Sequence, residues 1–191
     1  MDVGMFYSAS ADFDVDHRDV AAPKRLLRER MAGLGRLAPG ILAPLDDTPD
    51  FYLDQVAQVV MDRWSSERVG LLGGAAFSSS PMSGQGTGLA LVGAYLLAGE
   101  LAAAEWDPDT GFARYEGRMR SFVEANQEIG RLNARSRDVP GPDAEPRPDF
   151  AGAWFTELVG RALNGIELPD YAEAPDSATP AGSPITSSAK P

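Results

Sequence analysis

The chain has no cysteine and only one histidine, His17, among its 191 residues. The first absence rules out disulfides, thiolate metal sites and cysteine nucleophiles, and it fits a reducing cytoplasm. The second makes any His-based triad or multi-His zinc site depend on one residue, and no partner pattern surrounds it. Positive charge is also scarce: 17 Lys and Arg face 28 Asp and Glu, for a net charge of -11. A surface of that sign repels phosphate backbones, so nucleic acid is not an expected partner. The apolar run Leu89 to Gly99 falls far short of the ~20 residues a membrane span needs, and it reads as part of a buried helix. The N-terminus carries neither a basic nor an apolar signal region, so the sequence gives no membrane or export expectation and points to the cytoplasm. A dinucleotide fingerprint is missing as well. Gly84, Gly86 and Gly88 give G-x-G-x-G, but Leu89 breaks G-x-G-x-x-G, and no Gly-Lys-Ser/Thr occurs.

What is present suits a packed domain. Hydrophobic residues make up 43% of the chain, enough for one domain or a little more. Residues 1 to 13, with Val3, Met5, Phe6, Tyr7 and Phe13, predict a strand. Asp19 is a candidate helix N-cap and Pro23 suits the first turn that follows. Leu27, Met31 and Leu34 then mark one apolar face, with Gly35 ending the helix. Residues 36 to 50 read as a loop. Phe51 to Met61 predicts a strand from its β-branched and aromatic residues, and Val69 to Gly73 a short buried one. The strongest periodicity follows the turn at Asp107-Pro108-Asp109. Phe112, Tyr115, Met119, Phe122 and Ile129 fall on one helical stripe. Phe150 to Leu163 predicts a short amphipathic helix. Nine of the 15 prolines lie beyond residue 138, which places the packed core before it and predicts disorder in the tail from Pro169 to Pro191. Trp64, Trp106 and Trp154 read as core or interface residues.

One stretch offers chemistry. Arg68 to Gly88, RVGLLGGAAFSSSPMSGQGTG, runs from an apolar strand through a Gly-rich loop into the apolar helix. Glycine lets a ligand approach bare backbone, and a helix N-terminus presents free N–H groups with a partial positive charge. Such a loop suits an electron-rich or anionic group. On these residues alone it is either a ligand loop or an ordinary connection.

The order of its motifs resembles the second FAD motif of the class A FAD-dependent monooxygenases, the p-hydroxybenzoate hydroxylase and tetracycline-oxygenase type. That family has a strand ending in Gly-Asp-Ala-Ala, then Pro, then Gly-Gln-Gly, then a long helix. Here stand Gly73-Gly74-Ala75-Ala76, Pro81 and Gly84-Gln85-Gly86, with Met61-Asp62-Arg63-Trp64 and Arg68-Val69 upstream and Arg114-Tyr115-Glu116 downstream. The resemblance covers roughly residues 1 to 137, with Phe150 to Tyr171 matching the family's terminal helix. It implies an α/β chain: an incomplete FAD-binding flavin-hydroxylase fold, with a remnant of the substrate-domain sheet and C-terminal helices. The implied divisions are 1–61 for the substrate-domain remnant, 62–137 for the C-terminal part of the FAD-binding domain, 138–168 for linker and terminal helix, and 169–191 for a tail. It implies FAD as cofactor, NAD(P)H as electron donor, and hydroxylation of a small aromatic or polyketide substrate. The flavin-lining residues would be Gly73, Gly74, Pro81, Gly84, Gln85, Gly86, Thr87 and Gly88. No side chain is implied as catalytic, and no metal site.

Two departures bear on activity. Gly74 stands where the family has an Asp that bonds the ribityl chain, and Phe77 where the family often has His. The βαβ unit with the G-x-G-x-x-G fingerprint has no counterpart in this sequence. The chain alone is therefore expected to be inactive: a fragment needing a separate N-terminal half or a homo-oligomer, or a non-catalytic remnant that binds no flavin. Among other residues, His17 reads as a loop histidine rather than a base. Asp12, Asp14, Asp16 and Asp19 alternate like a calcium loop but lack its central Gly and closing Glu, so they read as solvated charge. Gln55 and Gln58 either face a substrate or lie on a sheet surface.

Overall fold

A computed structural model describes residues 21–137 and 147–171, together with Gly4 and Asp19. The strand expected over residues 1–13, His17, and Asp12, Asp14 and Asp16 lie outside the described residues, as do most of the linker and the tail. The architecture is α/β in composition and mostly helical. Its elements are α1 (Ala22–Met31), α2 (Ala38–Leu42), a hairpin of β1 (Ser65–Ser66) with β2 (Val69–Gly70), α3 (Gly74–Phe77), a 3-10 turn (Pro81–Ser83), α4 (Gly86–Ala103), α5 (Pro108–Arg137) and α6 (Ala153–Asn164). The two strands pair antiparallel, Ser65 opposite Gly70 and Ser66 opposite Val69.

The stripe read from the sequence builds the centre. Tyr115, Met119, Phe122 and Val123 of α5 pack with Leu89 and Leu96 of α4, Phe77 of α3 and Trp64. The α4–α5 corner turns through Glu105 and Trp106, both at positive φ. Gly111 lets the two helices close up, since a Cβ there would lie 2.7 Å from Leu101 Cδ2. A second apolar cluster joins α5 to α6 through Ala125, Ile129, Leu132, Leu158 and Ala162. A third lies apart, where Leu27 and Met31 of α1 meet Ala38, Leu42 and Leu45.

Several expectations need correction. Phe51 to Met61 forms no strand. Among the described residues no neighbouring strand offers it a ladder, and its backbone is bonded elsewhere. Val59 N–H donates to Ser78 O (3.1 Å), and Val59 O accepts from Gln127 Nε2 (2.7 Å). Of the sheet remnant expected within residues 1–61, the stretch Phe51 to Met61 therefore contributes no strand. The loop of residues 36–50 contains α2, started by Pro39 within its first turn. Of the buried strand at Val69 to Gly73, only Val69–Gly70 pairs, and Val69 is exposed. Asp19 does not cap α1 directly: the capping position is Ala21, whose N–H donates to the Asp19 carboxylate at 2.9 Å. The helix also ends at Met31, leaving Leu34 exposed. Trp106 and Trp154 are exposed, so only Trp64 is a core tryptophan.

The apolar helix α4 is the largest surprise. It is long and apolar enough to cross a membrane, with mean hydropathy 1.4, yet only 28% of it is buried. Leu89, Gly93, Leu96, Gly99 and Glu100 face inward, while Leu91 and Tyr95 are exposed.

Candidate functional site

The chain between β2 and α4 takes three backbone conformations that favour glycine, at Gly73 (φ 62°), Ser80 (φ 75°) and Gly84 (φ 70°). Gly73 also needs its missing side chain, because a Cβ would sit 3.3 Å from Ala90 Cβ where the loop crosses α4. Ser80 is not glycine, and a residue held there is strained by about 1–3 kcal/mol. Its surroundings hold it. Ser80 Oγ accepts from Met82 N–H (3.1 Å), and Ser80 O accepts from Ser83 N–H (3.1 Å) and Ser83 Oγ (3.0 Å). Ser79 and Ser83 hydroxyls bond each other at 2.7 Å.

Helix α5 anchors this loop from behind. Asn133 Nδ2 donates to Met82 O (2.9 Å), and Gln58 Nε2 donates to both Ser79 O (3.0 Å) and Gln127 O (2.7 Å). Gly130 makes the docking possible, because a Cβ there would press on Ser79 O. Gln58 thereby ties the loop to α5 and does not lie on a sheet surface. Gln55 is exposed.

Helix α4 begins with no side-chain cap. Gln85 N–H donates to Ser83 Oγ (3.2 Å), and Leu89 N–H donates to Gln85 O (2.9 Å). The N–H groups of Gly86, Thr87 and Gly88 therefore precede the helical ladder, at the positive end of the helix dipole.

Between this helix end and α3 opens a cleft of ≈ 440 Å³, lined by Gly73, Gly74, Phe77, Ser78, Ser79, Gly86, Thr87, Leu89 and Ala90. Its size lies within the roughly 300–1,000 Å³ of small-molecule sites. The walls carry no ionisable side chain, so the polarity available is backbone N–H, hydroxyl and dipole. Among the described residues no group of acidic or histidine side chains could hold a metal.

Of the residues expected from the sequence, the cleft brings together Gly73, Gly74, Gly86 and Thr87. Pro81 and Gly84 lie on the adjoining turn, exposed, with Gln85 between that turn and the helix. Gly88 faces outward, where a Cβ would meet Gln85 Oε1 at 3.4 Å. Sequence reasoning missed Phe77, Ser78, Ser79, Leu89 and Ala90 as walls, and Gln127 and Asn133 as supports. A signal existed for one support: Gln127 is a polar residue on the buried side of α5, where such groups are seated by hydrogen bonds.

No protein-family model matches the chain. Individual proteins do. An uncharacterised protein of Mycobacterium tuberculosis, Rv1260, is 41% identical over 157 residues, which is 82% of this chain and 38% of that protein. A flavin-dependent monooxygenase of Legionella longbeachae is 37% identical over 156 residues, covering 82% of this chain and 40% of its own. The crystal structure of the tetracycline destructase Tet(55) superposes with a TM-score of 0.68 at 40% identity, covering 81% of this chain and 41% of that one. The chain thus spans about two-fifths of the length of the relatives it matches.

Proposed function

We propose that this chain, a relative of the flavin-dependent monooxygenases, supplies one wall of a FAD site that serves NAD(P)H-dependent hydroxylation of an aromatic or polyketide compound. The observation that carries the reading is the uncapped start of α4, whose residues Gly86 and Thr87 share one cleft with Gly73 and Gly74. Bare backbone at Gly74 and Gly86 leaves room for a planar ring, since a Cβ at either would meet no other atom within 4 Å. Phe77 and Leu89, buried in the core beneath, back the cleft with apolar packing. The free amides of residues 86–88 and the helix dipole favour negative charge on the ring's edge. Pro81, Gly84 and Gln85 extend the same wall.

When bound, the flavin supplies the oxygen activation. The chain's own part is to orient it, donate hydrogen bonds toward its charge and exclude water. No side chain is assigned a proton transfer. The fit concerns the ring: no basic side chain lines the cleft, and Gly74 brings no carboxylate to the ribityl hydroxyls. In this reading residues 62–137 belong to the FAD domain, 1–61 to the substrate domain, 138–168 to linker and terminal helix, and 169–191 to a tail. The pyrophosphate and adenine are held by the family length this chain does not span, on a longer chain or on a separate half.

A titration of the purified chain with FAD, followed by flavin fluorescence and the visible spectrum, tests the reading. Saturable micromolar binding, lost in Gly86→Val, is the expected result. A well-folded chain that leaves the flavin unchanged, alone and with the remainder of the family sequence added, would overturn it. That outcome would favour a remnant without cofactor, the reading to which Gly74 lends support.

A further inference from the structure

After α6 the chain turns at Gly165 and runs without regular structure over residues 166–170 along α4. Three attachments hold it. Ile166 and Tyr171 pack against the central core. Tyr95 of α4 donates its hydroxyl to Pro169 O (2.6 Å), and its ring stands 5.3 Å from that of Tyr171. Tyr171 donates to Glu100 Oε1 (2.7 Å). Glu100 is a buried carboxylate on an otherwise apolar helix, and Arg118 of α5 pairs with it through Nε. Gly99 completes the seat, because a Cβ there would fall inside the Tyr171 ring.

Leu91, Tyr95 and Gly99 are spaced at i, i+4 and i+8, so they share one face of α4. Leu91 and Tyr95 are exposed on that face, whereas Gly99 lies under Tyr171. The segment therefore covers the last turn of an apolar stripe that continues open toward the start of the helix.

We propose that residues 166–171 form a strap that lifts from α4, and that the Tyr171–Glu100–Arg118 cluster is its latch. When the latch opens, the stripe gains its third member and the buried Glu100 carboxylate meets solvent beside Arg118, which is already half exposed. The latch sits in one hydroxyl–carboxylate bond and one ring seat, so it opens without unpacking α5 from α4. This inference is independent of the flavin reading.

Native-state proteolysis of the full chain tests it. Glu167 is exposed in the middle of the strap, and a Glu-specific protease cleaves after it only when the segment detaches. Two variants attack the latch in different ways: Tyr171→Phe keeps the ring in its seat and removes the bond, and Gly99→Ala fills the seat and displaces the ring together with its bond. Both should speed cleavage after Glu167 by about ten- to a hundredfold, the worth of one hydrogen bond to a charged group. Cleavage within α5, at Glu116, Glu124 and Glu128, should not change. Rates after Glu167 within twofold of the wild type would overturn the proposal, as would a wild-type strap already cut at the rate of an unfolded peptide. A parallel rise within α5 would overturn it too, since the segment would then be part of the core and not a strap.

Discussion

Replacing Gly130 by alanine sets two physical effects against each other. In an open helix interior the change gains about 0.8–1 kcal/mol from propensity. At this position the new methyl would press on Ser79 O and lie 2.7 Å from Gln58 Nε2. The carbonyl is backbone and cannot swing aside, so the loop must move off α5. That movement breaks the Gln58 bonds to Ser79 O and Gln127 O. Each is worth about 1 kcal/mol, and overpacking adds about 1–3 kcal/mol. The losses exceed the gain, leaving a net destabilisation of about 2–4 kcal/mol. Urea unfolding measures it: with a slope of about 2 kcal/mol/M the midpoint falls by about 1–2 M. Gly117, on the same helix with nothing within 4 Å of its Cβ, is the control, and Gly117→Ala should raise the midpoint. If Gly130→Ala raised it equally, the close docking of the loop on α5 would be refuted.

Three further outcomes are expected. Asn126 is fully buried, with Nδ2 donating to Phe122 O and Ala162 O, both at 2.9 Å. Asn126→Asp would face those carbonyls with an acceptor and should cost more than about 3 kcal/mol in thermal or urea unfolding; a variant as stable as Asn126→Ser would contradict this. Burial raises the Tyr115 and Tyr171 phenols above their ordinary 10.0, with Glu116 and the Glu100 hydrogen bond adding to the effect. Below pH 10 both states keep the protons; above it the unfolded chain loses them first, so the urea midpoint should stay level to about pH 10 and then fall, less steeply in Tyr171→Phe. Finally, Gly74→Asp has open space for its side chain and should tighten FAD about ten- to a hundredfold by titration, if the ribityl chain passes that point as proposed.

Much of the helical frame was legible because its signals are local. The stripe from Phe112 to Ile129 repeats over enough turns for period to decide, and the helix expected over Phe150 to Leu163 forms at Ala153–Asn164. The Gly-rich loop was legible as a whole, since glycine marks places where backbone is laid bare. Its wall was only half legible, because the turn that sets Ser78 and Ser79 into the cleft pivots on Ser80, a residue type that does not advertise a positive φ. Phe51 to Met61 misled by composition. Aromatic and β-branched residues favour a strand, but its backbone partners are Ser78 and the Gln127 side chain, far away in sequence. Glu100 was visible as one charge in an apolar run, whereas its partners lie 18 and 71 residues on.

The isolation of the α1–α2 cluster has a spectroscopic consequence. Leu27, Met31, Ala38, Leu42 and Leu45 share no residue with the core around Trp64, and no tryptophan lies among residues 21–51. A small cluster of that kind opens at lower free energy than the global transition. Indole emission will follow Trp64 and pass over the melting of α1, whereas far-ultraviolet ellipticity will register it. On heating or in urea the two signals should separate, ellipticity beginning to fall first. The interval between them measures the stability of residues 22–45 by themselves.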